Sequence, residues 1–277
     1  MRILKLCLVA LSFLFYLIIT AILHVLVTLL RPSRRWQLMS SLSYILIRSI
    51  GRILGLKIEV QGQKEFLREK GNFLITRHVS YVDGLILGGL CPAIFVSKKE
   101  IQSWPLIGQV IAISGTIFIN RKERIKAVSS IETISRLLKN KTNIIVFPEG
   151  TSTDGDSILS FQTPFFQSPI VAQADVLILR VQYHSVDGQP VDQKNKDQLF
   201  WYGDMNFFSH FWNLCGFRTI TIKVSMIRRV PTRGMENTSV GRKTLSEKCY
   251  QIMQDAHYNE KRCSSLERES HAIVEIL

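Results

Sequence analysis

Residues 72–83 read NFLITRHVSYVD, a short apolar run that ends abruptly in polar side chains. The first five residues predict a buried strand. Ser80-x-x-Asp83 has the spacing of a capping box, which starts a helix near Tyr81 and leaves His78 in the preceding turn. The segment therefore predicts a strand, a turn and a helix in direct succession.

Short apolar runs and helical patterns alternate on both sides of this unit. The clearest helix covers about residues 122–140, where Ile131, Ile134 and Leu138 share one face. The other strands are predicted at Lys57–Val60, Ala93–Ser97, Thr116–Ile119, Asn143–Phe147, Val176–Tyr183 and Ile220–Met226. Such alternation is typical of α/β proteins, so we expect a single domain with a mostly buried mixed sheet flanked by helices.

A long apolar segment precedes this domain. From Leu6 to Leu30 no side chain carries a fixed charge, and a helix needs about 20 residues to cross a hydrocarbon core of roughly 30 Å. We therefore predict a membrane anchor helix in residues 1–35. A cleaved signal peptide is the alternative, but its apolar core is normally shorter. The arginines after the run outnumber the basic residues before it, which favours a cytoplasmic position for the rest of the chain.

Residues 36–56 form a second apolar-rich segment with two arginines on another face. They predict either an amphipathic, interfacial helix beside the anchor or the first core helix of the domain. The main domain is expected at 57–231. A polar C-terminal extension is expected at 232–277, with one helix near Arg242–Tyr258.

The net charge of +13 calls for an anionic partner. With an apolar anchor present, a membrane surface or an acidic substrate explains the charge better than nucleic acid does, and no nucleic-acid partner is expected. Five scattered cysteines without a CxxC pair suggest reduced thiols. No metal site and no cofactor are expected, because metal-ligand spacing is lacking at His184, His210, His257 and His271.

His78 and Asp83 are the first candidates for chemistry. Within one continuous helix they would point about 140° apart, but a turn before the helix lets Asp83 reach back to the imidazole. A carboxylate bonded to one ring nitrogen fixes the tautomer and leaves the other nitrogen free to take a proton from a hydroxyl. The alternative is that Asp83 only caps the helix and His78 is an ordinary turn residue.

Further polar groups follow other predicted strands. The segment 115–121, GTIFINR, ends in Arg121, whose guanidinium suits a phosphate. In the segment 147–151, FPEGT, the backbone N–H groups around Gly150 and Thr151 suit an anion or an oxyanion. Glu149 suits substrate hydroxyls or a contact with Arg121, and Lys98 adds positive charge. Each cluster alone is also explained as a turn or a solvated charge, but together they are expected at the carboxyl edge of the sheet.

The three motifs H-x4-D, GTIFINR and FPEGT, in this order and spacing, resemble those of the lysophospholipid (glycerolipid) acyltransferase family. The similarity covers roughly residues 48–227. It implies transfer of an acyl group from acyl-CoA or acyl-carrier protein, as co-substrate, to a glycerolipid hydroxyl. His78 would be the general base and Asp83 its orienting carboxylate.

The same resemblance implies an acceptor site. Its residues would be Arg121, Glu149, Gly150 and Thr151, with Lys98 as a further basic position at that edge. The chain departs from the common family pattern at Arg77, where asparagine is frequent, and at residues 177–181, LILRV, which lack the usual proline. Residues 153–155 and 201–205 resemble a branch that includes lyso-ornithine lipid acyltransferases.

The resemblance implies a 1-acylglycerol-3-phosphate acyltransferase that makes phosphatidic acid for phospholipid biosynthesis. Its partners would be membrane lipids, a lysophospholipid acceptor and the acyl donor. We expect it to be attached to a membrane with the site on the cytoplasmic side, at the inner membrane if the chain is bacterial. The alternatives are acylation of another lysolipid such as lyso-ornithine lipid, thioester hydrolysis, and a non-enzymatic membrane-binding role.

Overall fold

The computed structural model describes residues 1–30, 35–103, 108, 111–112, 114–119 and 124–274, with side chains for all of these except 24–30, 124–127 and 260–274. The α-helices in this part of the chain are α1 Arg2–Leu30, α2 Arg35–Leu54, α3 Val82–Gly88, α4 Arg124–Lys139, α5 Gln167–Ala172, α6 Phe207–Leu214 and α7 Ser239–Val274. The strands are β1 Leu56–Gln61, β2 Phe73–Ile75, β3 Ala93–Lys98, β4 Ile117–Ile119, β5 Asn143–Val146, β6 Val176–Val186, β7 Gln189–Pro190 and β8 Ile220–Val230.

Every strand predicted from the apolar runs is present, most with ends within one residue of the prediction, and two strands extend further than predicted. β6 and β8 run on to Val186 and Val230 because they pair with each other as a long antiparallel ladder. β7, which was not predicted, is a two-residue return that pairs with the end of β6. The C-terminal helix was predicted too short, since α7 begins at Ser239 and continues to Val274.

The strands form one mixed sheet in the order β1-β8-β6-β2-β5-β3-β4, with β7 beside β6. β6, β2, β5, β3 and β4 all run parallel, whereas β8 and β1 run the opposite way. The predicted mixed α/β fold is confirmed. Because β2 and β5 are parallel neighbours, the polar segments that follow them emerge side by side at one edge of the sheet.

Helices cover both faces of the central strands. Successive strand residues point to opposite faces, so Ile144 packs in one apolar cluster with Leu137 of α4 and Leu245 of α7. Its neighbour Ile145 packs in another cluster with Leu87 of α3. This two-sided burial explains why the central strands read as unbroken apolar runs rather than alternating ones.

α1 and α2 form an antiparallel pair against the domain. The ammonium of Lys5 donates to the carbonyls of Leu54 at 2.8 Å and Phe217 at 2.6 Å, and the hydroxyls of Tyr16 and Ser43 are 3.1 Å apart. α2 also packs on the domain and buries a face of its own, formed by Met39, Ser40, Ser43, Leu46, Ile50, Gly51 and Leu54. A buried face is compatible with both interpretations of residues 36–56, so the interfacial position stays a prediction. Within the described chain, α1 is the one helix long and apolar enough to cross a membrane, judged by length and composition alone.

Candidate active site

The predicted contact between His78 and Asp83 is present. Nδ1 of His78 is 3.0 Å from Oδ2 of Asp83, and the same oxygen accepts the backbone N–H groups of Val79 at 2.8 Å and Ser80 at 2.9 Å. A carboxylate oxygen that already accepts two N–H groups takes a third donor, so we assign the proton of the pair to Nδ1. The ring is thereby fixed in the tautomer whose Nε2 accepts a proton.

Local sequence explains how this turn forms. α3 begins at Val82, whose N–H is 3.3 Å from the Ser80 hydroxyl, while Asp83 reaches back to the Ser80 N–H. This is the backward half of the capping box predicted from Ser80-x-x-Asp83. Asp83 therefore both starts α3 and orients the imidazole. Its side chain is 1% exposed and that of His78 is 20% exposed, so the carboxylate is buried and the ring is accessible.

Phe147 fixes the plane of the His78 ring. The two rings stack with centroids 4.0 Å apart and planes 18° apart. Phe147 follows β5, the neighbour of β2, so the sheet itself brings the two segments together. Stacking on one face and a hydrogen bond at Nδ1 together leave the imidazole little freedom to rotate.

Glu149 binds backbone rather than presenting a free carboxylate. Its Oε1 accepts the N–H of His78 at 3.1 Å and its Oε2 accepts the N–H of Leu159 at 2.9 Å. Burial raises the pKa of Glu149, and the two backbone N–H groups oppose that rise. The side chain, in a residue 3% exposed, thus joins the His78 turn to the segment after the FPEGT motif. Its predicted contact with substrate stays a prediction.

The rest of the FPEGT turn is also held internally. Gly150 has φ +73°, a conformation that favours glycine, and its N–H donates to the carbonyl of Phe147 at 3.0 Å. That N–H is therefore already used within the turn, while Thr151 is exposed. Two backbone hydrogen bonds join the His78 turn to other segments of the chain. The N–H of Thr153 donates to the carbonyl of His78 at 2.9 Å, and the N–H of Trp201 donates to the carbonyl of Val79 at 2.8 Å.

The predicted basic residues are placed unequally. Lys98 is the last residue of β3, pairs with Ile119 of β4, and is half-buried at the same edge of the sheet. One strand, β5, separates β3 from β2, so Lys98 lies near the His78 turn without adjoining it. Arg121 lies outside the described residues, and its role as a phosphate ligand stays a prediction.

Two residues at the site were not predicted to act there. The hydroxyl of Tyr183 donates to Oδ1 of Asp83 at 2.7 Å. Burial first, and the charge of Asp83 second, raise the pKa of Tyr183 well above its ordinary value, so the phenol keeps its proton. Arg77 donates to the carbonyls of Gly155 at 3.0 Å and Ser157 at 2.8 Å. No sequence signal marked Tyr183, which ended a predicted strand as an ordinary aromatic residue.

The segment that carries this site matches a known family of domains. Residues 57–184 match the family model described as Acyltransferase, which confirms the resemblance read from the motifs.

Relatives agree with this match, and a solved structure has the same fold. The chain is 28% identical over 166 residues to the lyso-ornithine lipid O-acyltransferase of Rhizobium meliloti, covering 57% of this chain and 56% of that protein. It is 29% identical over 157 residues to the 1-acyl-sn-glycerol-3-phosphate acyltransferase of Neisseria gonorrhoeae, covering 57% of this chain and 59% of that protein. The match thus spans somewhat more than half the length of these curated relatives. The crystal structure of PlsC, the 1-acyl-sn-glycerophosphate acyltransferase from Thermotoga maritima, superposes with a TM-score of 0.55 at 18% identity and covers 94% of this chain and 98% of that one.

Proposed function

We propose that this protein transfers a fatty acyl group from a thioester donor, acyl-CoA or acyl-carrier protein, to the free hydroxyl of lysophosphatidic acid, which gives phosphatidic acid. The observation that carries the proposal is the His78–Asp83 pair, in which a buried carboxylate 3.0 Å from Nδ1 orients an accessible imidazole. This pair lies in a domain whose family and relatives are acyltransferases.

The proposed reaction needs a single proton shuttle. Nε2 of His78 takes the proton of the acceptor hydroxyl as its oxygen attacks the thioester carbon. The carbon–sulfur bond then breaks, and the leaving thiolate receives that proton from the imidazolium. Asp83 stabilises the imidazolium through Nδ1 and remains ionised throughout, as in other oriented histidine bases.

The acceptor site is proposed from the motif residues. Arg121 would bind the phosphate of the acceptor, and Lys98 would add positive charge at the same edge of the sheet. Gly150 and Thr151 would line the turn beside it. Glu149 would contribute by holding the backbone of His78, which is the role its two hydrogen bonds support.

A second acceptor, lyso-ornithine lipid, is favoured by a specific observation. The Rhizobium relative carries that activity in its name, and it is as similar to this chain as the Neisseria enzyme named for lysophosphatidate. Both reactions esterify a lysolipid hydroxyl and use the same base. They differ in the head group that the acceptor site must bind.

We also propose that α1 attaches the protein to a membrane, with the site on the cytoplasmic side. The helix has exposed large apolar residues along its length, among them Leu4, Leu8, Leu11, Leu14, Phe15, Ile18 and Ile22. Such a surface is costly in water and stable among lipid chains. Attachment would bring the site to its lipid acceptor.

The test is an assay of purified full-length protein in vesicles. Lysophosphatidate and lyso-ornithine lipid are offered side by side, with acyl-CoA and with acyl-carrier protein as donors, and products are identified by mass spectrometry. We expect acylation of lysophosphatidate. Thiol release without any lipid acceptor would instead indicate a thioester hydrolase, and the absence of turnover with every donor and acceptor would contradict an enzymatic role.

A matched pair of histidine variants tests the base. His78→Ala is expected to lower the rate by about 10²–10⁴-fold, because the general base is lost, with little change in the melting temperature. His184→Ala removes an exposed histidine of β6 and is expected to leave the rate unchanged. Near-normal turnover of His78→Ala would rule out the proposed base.

A further inference from the structure

The Asp83 carboxylate is held from both of its oxygens. Oδ2 receives His78 and two backbone N–H groups, and Oδ1 receives the hydroxyl of Tyr183 at 2.7 Å. Tyr183 is one hundred residues further along the chain and 9% exposed. A tyrosine from the sheet therefore closes the hydrogen-bond shell of the carboxylate that orients the imidazole.

We propose that Tyr183 is a positioning residue of the His78–Asp83 pair, whose hydroxyl fixes the Asp83 carboxylate in the orientation that presents Oδ2 to the imidazole. The inference rests on the proposed function, in which His78 is the base. It assigns to β6 a part in the chemistry beyond that of a core strand.

The topology explains how Tyr183 reaches the turn. β6 is parallel to β2 and pairs with it as far as Ile75 and Ile178. β6 then continues beyond the end of β2, still paired to β8, and carries Tyr183 to the level of the His78 turn. Proline would remove a ladder hydrogen bond, and residues 177–181 contain no proline. The strand continues to Val186, with two shifts in its register against β8.

The Tyr183 ring is fixed independently of its hydroxyl. It packs edge-on against Phe200 with centroids 5.4 Å apart and belongs to a buried apolar cluster with Val82 and Ile86 of α3. Because burial keeps the phenol protonated, it acts as a donor to Asp83 over the physiological pH range. Phenylalanine would keep this packing and remove only the hydrogen bond.

The hydroxyl has two effects on the pair. It prevents the carboxylate from turning about its last bond, which would tilt Oδ2 away from Nδ1. It also disperses part of the buried negative charge, because each donor shares that charge. Without the hydroxyl, both the orientation and the charge distribution of the carboxylate that faces Nδ1 change.

The first experiment compares Tyr183→Phe with wild type in acyl transfer. We expect kcat to fall about tenfold with KM for donor and acceptor within about twofold, because the change affects the transition state and not substrate binding. The acid limb of the kcat profile should move, because the carboxylate that faces the imidazole changes. Tyr202→Phe is the control, since it removes another phenol that donates to a carboxylate, that of Asp197 at 3.0 Å on the surface. It should leave both kcat and the profile unchanged.

A double-mutant cycle with Asp83→Asn then tests the route of the effect. If Tyr183 acts through the carboxylate, the tenfold loss shrinks to about twofold or less once Asp83 is replaced. An equal loss in both backgrounds, wild-type kcat for Tyr183→Phe, or a lower melting temperature with an unmoved pH profile would each overturn the proposal.

A measurement without substrate separates this proposal from the proposed function. Nitrogen-15 spectra of labelled histidine, with His78 assigned through His78→Ala, report which ring nitrogen carries the proton. We expect the Nδ1–H tautomer of His78 in wild type and a mixture of tautomers in Tyr183→Phe. If wild type transfers no acyl group, the proposed function is wrong, but the spectra still test the role of Tyr183. Identical spectra for wild type and Tyr183→Phe would overturn the role of Tyr183 and leave the proposed function unaffected.

Discussion

Replacing Glu149 by glutamine tests whether one buried carboxylate holds the candidate site together. Glutamine keeps one acceptor oxygen but places an NH2 group against the second backbone N–H, so either His78 or Leu159 loses its acceptor. A buried donor without an acceptor costs about 1–3 kcal/mol. The neutral amide is less costly to bury than a carboxylate, which offsets part of this loss. We therefore expect the free energy of unfolding to fall by about 1–2 kcal/mol.

Thermal unfolding of the purified protein measures this change. For a domain of this size each kcal/mol corresponds to about 2–4 °C, so the melting temperature should fall by about 2–8 °C. Acyl transfer should fall as well, because the backbone of His78 loses one of its supports. The control is Glu69→Gln, which removes a half-exposed carboxylate 2.6 Å from Arg229 and should cost no more than about 1 kcal/mol. If Glu149→Gln melts no lower than the control and is fully active, the reasoning is refuted.

The raised pKa of Glu149 also predicts how the stability difference between wild type and Glu149→Gln changes with pH. Burial raises the pKa of Glu149 above its ordinary value of 4.5, so the folded protein favours the protonated form. The associated stability is fully present below pH 4.5 and is lost as the pH rises through the raised value. Glu149→Gln has no carboxyl group to ionise at this position, so it does not lose stability in this way as the pH rises. Its deficit in stability relative to wild type should therefore narrow as the pH rises, which denaturant titrations at several pH values can measure.

Two further predictions concern an acceptor residue and a second histidine. Arg121→Ala should raise KM for the phosphate acceptor by about tenfold or more with the donor KM unchanged. Arg136→Ala, the same change at an exposed site on α4, should alter neither KM. An effect confined to the donor would contradict the phosphate role of Arg121. Nδ1 of His210 is hydrogen-bonded to the Tyr81 hydroxyl, 2.9 Å away, and burial lowers the pKa of His210. The stability of the folded state with a neutral His210 is present above pH 6.5 and is lost as the pH falls through the lowered pKa. Wild type should therefore lose more stability than His210→Gln between neutral pH and about pH 5. Equal losses for the two proteins in denaturant titrations would refute this prediction.

Much of the fold was predictable because a strand buried on both faces has a continuous run of apolar residues in the sequence. Residues 73–75 and 144–147 contain no polar side chain, and both runs belong to central strands of the sheet. α7 was predicted too short because its outer part lacks an apolar stripe. Among the side chains of α7 that the structure describes, Leu245, Cys249 and Met253 in its first half are buried.

The candidate site was predictable where contacts are local. The spacing of Ser80 and Asp83 predicts the turn that brings the carboxylate to His78, and the structure has that turn. The partners of Glu149 were not predictable, because its acceptor bonds go to backbone N–H groups, which every residue type except proline offers. The contact of Tyr183 with Asp83 was not predictable for a different reason. Its contact depends on how far β6 extends beyond β2, and strand length beyond a neighbour is a property of the sheet.

The attachment of Lys5 limits how the protein can move relative to a bilayer. α1 is fixed at its first turn by two carbonyls and again where Tyr16 meets Ser43. Rotation of the helix about its own axis would break these buried bonds, so the same side of α1 always faces away from the domain. Under the proposed attachment, the depth of His78 relative to the head groups is then set by the protein and not by a flexible tether. An acceptor lipid must rise to a fixed height, or the whole molecule must tilt to meet it.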